Sequence, residues 1–161
     1  MANPSAGFVT GGGYIISPEG AYAPDTNLIG PATFGFVSKY NKGKSVPSGE
    51  TNFKFDVANL HFKSTSYEWL VITGSDCAKY KGEGTLNESS GYGFMLTACD
   101  KGEPSINDTF RIKIWDIEGG NTIYDNAMGA DDDSYEGTVI TGGNIQIHQP
   151  KEEKGDRFLR A

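Results

Sequence analysis

Residues 77–99 read CAKYKGEGTLNESSGYGFMLTAC, and the rest of the fold can be built outward from them. Polar residues 87–89 lie in the middle and both arms alternate, a pattern that predicts a β-hairpin. Pairing Leu86 with Ser90 sets its register and places four pairs on one face: Ala78 with Ala98, Tyr80 with Leu96, Gly82 with Phe94, and Gly84 with Tyr92. Each strand glycine then lies under an aromatic ring of the opposite strand, which offsets the weakness of glycine in a sheet.

The same register puts Cys77 opposite Cys99 on the other face of the hairpin. Because directly opposed residues bring their Cβ atoms within bridging range, we expect a disulfide between them. The first residues, MANPSAG, carry neither the basic nor the apolar segment of a signal peptide. The chain is therefore either cytosolic or a mature segment of an exported protein, and the cysteine pair favours an extracellular or cell-surface location.

The composition indicates one turn-rich domain without helices. Glycine supplies 22 of 161 residues, against a usual share of about 7%, with no collagen-like period. About ten short alternating stretches predict an all-β, antiparallel β-sandwich of jelly-roll type. We assign residues 1–149 to this single domain and interpret residues 150–161, which are charged and break the pattern, as a tail.

Alternation along the chain predicts which residues face the core. The stretch 108–116 is the most regular, with Phe110, Ile112 and Ile114 inward and Arg111, Lys113 and Trp115 outward. The inward set shifts phase between Phe55 and Leu60, so we expect a corner at residues 56–59. The apolar run at residues 69–72 predicts a central strand covered on both faces, and residues 11–13, all glycine, predict a bulge or a close approach of two backbones.

Charge and residue content exclude several classes of function. A net charge of −7 argues against nucleic acid and anionic membrane surfaces as partners, and no apolar run reaches the roughly 20 residues of a membrane span. His61 and His148 both alternate outward, and no G-x-S-x-G motif is present. Glu68 and Asp116 are the strand-borne carboxylates, but among 21 acidic residues some pair always suits a glycosidase. We expect no enzymatic activity.

Clustered acidic residues near the end of the chain suggest a calcium site. Calcium prefers six to eight oxygen ligands, which loops commonly supply. The candidate ligands are Asp125, Asp131, Asp132, Asp133 and Glu136. The spacing does not match an EF-hand, and a solvated acidic loop is the alternative.

The second predicted hairpin offers a ligand-binding surface. If Glu118 pairs with Asn121 across Gly119-Gly120, Trp115 lies directly opposite Tyr124 on the outward face, beside Lys113 and Arg111. Adjacent rings with polar neighbours suit stacking of a sugar, whose hydroxyl groups the polar side chains would bind. The alternative is a cross-strand pair that only stabilises the sheet, covered by a loop or by a second sheet.

Seven phrases of the sequence resemble one known kind of domain. They are FVTGGG (8–13), FGFVSKY (34–40), STSYEWLV (64–71), YGFMLTA-x-D (92–100), D-x-FRIKIWD (108–116), IYDN (123–126) and GGNIQIH (142–148). Together they resemble a domain found near the C-termini of secreted bacterial surface proteins, after immunoglobulin-like, cadherin-like or PKD-type repeats. The resemblance implies an extracellular, non-catalytic module beside other domains, and it implies no site residues. We expect a carbohydrate-binding module; the alternative is a structural spacer, anchor-proximal domain or filament subunit.

Overall fold

A computed structural model describes residues 8–39, 47–73, 76–100 and 108–148. Within these residues one short 3-10 helix, Asp56–Ala58, interrupts a series of ten β-strands. The strands are β1 (Phe8–Ser17), β2 (Gly30–Lys39), β3 (Ser48–Phe55), β4 (Leu60–Thr73), β5 (Cys77–Leu86), β6 (Ser89–Cys99), β7 (Thr109–Asp116), β8 (Thr122–Asp125), β9 (Thr138–Val139) and β10 (Gly142–His148). In the described part of the chain no helix has the length and apolar character needed to cross a membrane.

The strands form one antiparallel sheet, which confirms the all-β class and the number of strands. Their order is β10-β1-β2-β3-β4-β5-β6-β7-β8, and β9 pairs with β7. The connectivity is a meander from β1 to β8, whereas a jelly roll would require crossing connections. The prediction of a jelly-roll topology is therefore wrong. The fold is still sandwich-like, because the sheet curls and brings β10 near β6.

Aromatic rings from most strands fill the inside of the curl. The ring of Phe110 stacks on that of Phe34, with centroids 4.1 Å apart and planes 7° apart. Phe110, Ile112 and Ile114 are buried as predicted, and the alternating stretches also supply buried residues to the core: Phe34, Phe36, Phe53, Phe55, Phe62, Phe94 and Ile145. Alternation is less reliable near strand ends, since Val57 is 51% exposed and Ile147 is only half-buried.

Glycines let β1 and β10 approach each other closely. Gly13 lies opposite Gly143, and both have positive φ angles, 151° and 105°. A Cβ atom on Gly13 would collide with the Gly142 carbonyl oxygen, and one on Gly143 with that of Gly12. The predicted close approach of two backbones is confirmed.

The expected corner is present, but the following strand differs from its prediction. Residues 56–58 form the 3-10 helix, and Asn59 (φ 53°) adopts the left-handed conformation that redirects the chain. Strand β4 is not covered on both faces, because Val71 is 47% exposed. Register shifts near residues 64–66 and 67–69 change its phase, so that Tyr67 and Leu70, three residues apart, are both buried.

The β5–β6 hairpin has the predicted register from Cys77–Cys99 to Gly84–Tyr92. The Cys77–Cys99 disulfide is present. The turn is one residue tighter than expected: Leu86 pairs with Ser89, and Asn87 and Glu88 have φ angles of 50° and 73°, as a two-residue type I′ turn requires.

Aromatic rings lie against both glycines of β5. The ring of Phe94 lies against Gly82 as expected. The ring nearest to Gly84 is that of Phe62, from β4, although Gly84 pairs with Tyr92 as predicted. The neighbouring strand thus adds a ring that the hairpin alone does not predict.

Candidate functional site

The outer face of β4 to β7 is organised in cross-strand rows. Pairing of neighbouring strands fixes which side chains are adjacent. One row contains Val71, Lys79, Thr97 and Arg111; the next contains Trp69, Lys81, Met95 and Lys113; the third contains Glu83, Gly93, Trp115 and Thr122. Both tryptophans and three lysines therefore lie on one surface.

Trp115 lies flat across its neighbour on β6. A Cβ atom on Gly93 would come within 2.6–2.7 Å of three atoms of the indole, so only glycine leaves room for the ring. The Lys81 ammonium lies over the same ring, 5.7 Å from its centroid. Gly93 is thus the position that allows Trp115 to extend toward β5.

These residues line an open depression of about 370 Å³ that we call the tryptophan groove. Its sides are Trp69 and Trp115, its floor is the buried Met95, and its cations include Lys81 and Lys113. Asp132 and Asp133 approach from the loop that follows β8. A volume of this size is in the range of small-molecule sites.

Tyr124 is not part of the groove, so the expected Trp115–Tyr124 platform is wrong. The turn is longer than two residues: Asp116 pairs with Asn121 through the Asp116 amide (2.9 Å), and Trp115 lies opposite Thr122. An irregularity at residue 123 then shifts the register, so that Tyr124 lies opposite Ile114 on the core face. It is fully buried, and its hydroxyl is 2.7 Å from Ser17 Oγ.

Arg111 points to the predicted face but is not available to a ligand. It is 1% exposed and binds Asp125 with two hydrogen bonds, Nε to Oδ1 (2.9 Å) and Nη2 to Oδ2 (2.8 Å). It also donates to the backbone carbonyls of Ala130 (3.2 Å) and Asp131 (2.9 Å). Arg111 therefore holds the loop after β8 onto the sheet.

Two lysines of the sheet hold the same loop. The Lys79 ammonium donates to the carbonyls of Asp132 and Ser134, and it lies 4.9 Å from the centroid of the Tyr135 ring. The Lys113 ammonium donates to Asp132 Oδ1 at 2.7 Å. Burial, with the nearby Arg111 charge, lowers the pKa of Lys79, whereas the hydrogen bond from Lys113 lowers the pKa of Asp132.

The acidic loop is therefore neutralised in part by the protein's own cations. Both oxygens of Asp125 are engaged by Arg111, which removes Asp125 from the candidate calcium ligands. Asp131, Asp132, Asp133 and Glu136 are exposed. Among the described residues no three His, Cys, Asp or Glu side chains are grouped so as to hold a metal ion. Calcium binding by the exposed residues stays a prediction.

Other candidates from the sequence lie outside the groove's lining. His61 is exposed, and the side chain of His148 lies outside the described residues, as does the tail 150–161. Glu68 Oε1 is 4.0 Å from the Lys81 ammonium at the edge of the groove. Asp116 Oδ1 accepts the Glu118 amide (3.1 Å) within its own turn.

The structure brings together Lys113 and Trp115 of the predicted ligand residues and adds Trp69 and Lys81. Sequence reasoning missed Trp69 because the apolar run around it was interpreted as buried on both faces. A usable signal was present: only three residues separate Thr73 from Cys77, where β5 begins, so pairing of these two residues places Trp69 opposite Lys81 on the outward face. In comparisons with protein-family models, curated proteins and solved structures, nothing matches this chain.

Proposed function

We propose that this domain is a non-catalytic carbohydrate-binding module of an extracellular or cell-surface protein, and that its ligand occupies the tryptophan groove. One observation carries the proposal: both tryptophans of the chain line a single open groove on the outer face of the sheet. Monomeric proteins normally cover large aromatic surface. Here Trp69 and Trp115 are only half-buried, which leaves ring area for a ligand.

The chemistry of the groove suits a sugar ring. The apolar C–H face of a pyranose would stack on an indole, with Met95 as apolar floor. The ammonium groups of Lys81 and Lys113 would donate to sugar oxygens, and the carboxylate of Asp133 would accept from hydroxyl groups. A few polar groups around an apolar surface are the usual arrangement in small-molecule sites.

The disulfide and the resemblance support the location that we propose. Disulfides persist mainly in oxidising compartments, and the Cys77–Cys99 bond lies beneath the loop that borders the groove, with Cys99 Sγ 3.9 Å from the Tyr135 carbonyl oxygen. The resembling domains follow repeat domains in surface proteins. We therefore propose that neighbouring domains of a longer protein present this groove to glycans.

The alternative is a structural spacer or filament domain whose edge strands pair with neighbours. Strand addition needs free backbone groups along an edge. On β10 the Ile145 amide, which would be one such group, donates to Asp108 Oδ2 at 3.0 Å. The β10 edge is thus partly capped by a side chain of its own domain, and the groove favours the binding role.

A glycan array followed by tryptophan fluorescence titration tests the proposal. Because both tryptophans line the groove, a bound sugar should change the emission of the whole protein. Trp115→Ala and Trp69→Ala should each lower affinity roughly 5- to 150-fold if sugar stacking contributes as much as the stacking of a base on an aromatic ring, about 1–3 kcal/mol. Tyr14→Ala, which removes an exposed ring on β1 outside the groove, should bind normally.

Two results would reject the carbohydrate role. The first is an array on which no glycan is retained, with calcium and with chelator. The second is retention that survives both tryptophan substitutions. Circular dichroism of each variant separates a lost fold from a lost site.

A further inference from the structure

We propose that the ligand of the tryptophan groove is an acidic saccharide, whose anionic group pairs with Lys81 while its ring stacks on Trp115. This inference rests on the proposed function and names its ligand class. Among the described residues, three lysines and two aspartates line the groove, and Glu68 lies at its edge, in a chain whose net charge is −7. Positive and negative side chains are thus balanced in the groove, so it repels an anion less than the acidic protein as a whole does.

The three lysines differ in what already engages them. Lys79 is 5% exposed and is bound to two loop carbonyls, and Lys113 is bound to Asp132. Lys81 differs from both. Its ion-pair partner Glu68 is 4.0 Å away, beyond hydrogen-bond distance, and both side chains are more than a third exposed, so solvent screens the pair and the ammonium can still bind a ligand.

Lys81 is also positioned for this role. Its side chain is 37% exposed, and its ammonium lies over the Trp115 ring. A carboxylate or sulfate carried by a stacked sugar would reach the ammonium from the same side. The resulting hydrogen bond would be charge-assisted, which makes it stronger than one between neutral groups.

The position of Lys81 in the sheet also places a second cation, Lys113, near the anionic group of the ligand. Lys81 and Lys113 flank Met95 in one cross-strand row, one on each side. Neighbouring strands lie about 4.8 Å apart, so the two lysine backbones are separated by roughly 10 Å, and both side chains line the groove together with Met95. An anionic group placed there meets Lys81 first, while Lys113 supports it from the opposite side.

The test uses two probes with the same backbone. Tetragalacturonate carries free carboxylates, and its fully methyl-esterified form is neutral. We expect the free acid to bind roughly tenfold more tightly, as a hydrogen bond to a charged group predicts. Raising sodium chloride from 20 to 500 mM should weaken binding of the acid and leave binding of the ester unchanged. A sulfated and an unsulfated dextran identify which anionic group the groove prefers, and a preference for either acidic form supports the inference.

Lys81→Gln is the decisive variant. It should reduce the difference between acid and ester to within about twofold, because the charge is lost and stacking remains. Lys54→Gln removes an exposed lysine on β3 outside the groove and should preserve the full difference.

The outcomes separate this inference from the function on which it rests. Equal binding of acid and ester that Trp115→Ala abolishes would overturn the acidic ligand and keep the carbohydrate role. Preferential binding of the acid that survives both tryptophan substitutions would overturn both, since it would reflect charge alone. An unchanged preference in Lys81→Gln would likewise overturn the assignment to Lys81.

Discussion

The two faces of β5, β6 and β7 are stabilised in different ways, although the same strands supply both. The inner face packs apolar rings and branched side chains against one another. The outer face places cations beneath a loop, where Arg111 and Lys79 bind its carbonyl oxygens. The stability of the inner face therefore follows from the alternation of apolar residues within each strand, whereas the stability of the outer face depends on the loop that covers it.

This difference explains how one surface provides both a cover and a groove. The loop after β8 covers the Arg111 end of the outer face and stops at Lys113, where Asp132 is bound. Beyond that point Trp115 and Trp69 are only half-buried, and the depression opens. The edge of the loop is thus one side of the groove.

The largest loss of stability should come from a substitution on the inner face. Phe110→Ala removes a ring that stacks on Phe34 and lies 5.9 Å from Phe36 and 6.0 Å from Phe53, centroid to centroid. It should lower the free energy of unfolding by about 3–5 kcal/mol, measured by urea denaturation. A loss below about 1 kcal/mol would mean that the two faces do not differ as described.

The next effect should come from the covered part of the outer face. Arg111→Met leaves the buried Asp125 carboxylate without its partner, and breaking such a pair costs about 3 kcal/mol or more. Adding Asp125→Leu removes the orphaned charge and should restore much of the stability. A double variant less stable than Arg111→Met would show that the remaining loop contacts, and not the charge pair, carry the effect.

The same contrast sets how far the sequence could predict the molecule. The β5–β6 register and the buried set followed from alternation, because each strand carries that information itself. The β7–β8 register did not, because an irregularity at one residue, Ile123, turned Tyr124 inward. The burial of Arg111 depended on a loop that closes over the sheet from twenty residues further along the chain, and no local pattern encodes that closure.

The smallest effect should come from the edge of the loop, and it should depend on pH. The hydrogen bond from Lys113 lowers the pKa of Asp132 in the folded protein below its ordinary value of about 3.9. A carboxyl group whose pKa is lower in the folded than in the unfolded protein stabilises the fold at pH values above the unfolded pKa, and this stabilisation is lost as the pH falls through the folded pKa.

Because the Asp132 side chain is 60% exposed, its contribution to the free energy of unfolding should be less than about 1 kcal/mol. We therefore expect Asp132→Asn to be slightly less stable than the parent protein in urea at pH 7, and we expect this difference in stability to be smaller at pH 3. Asp133→Asn is the matched control, since its carboxylate forms no ion pair among the described residues, and it should match the parent at both values. If Asp132→Asn differed from the parent by the same amount at pH 3 as at pH 7, the Lys113–Asp132 pair would not be what holds this edge of the groove.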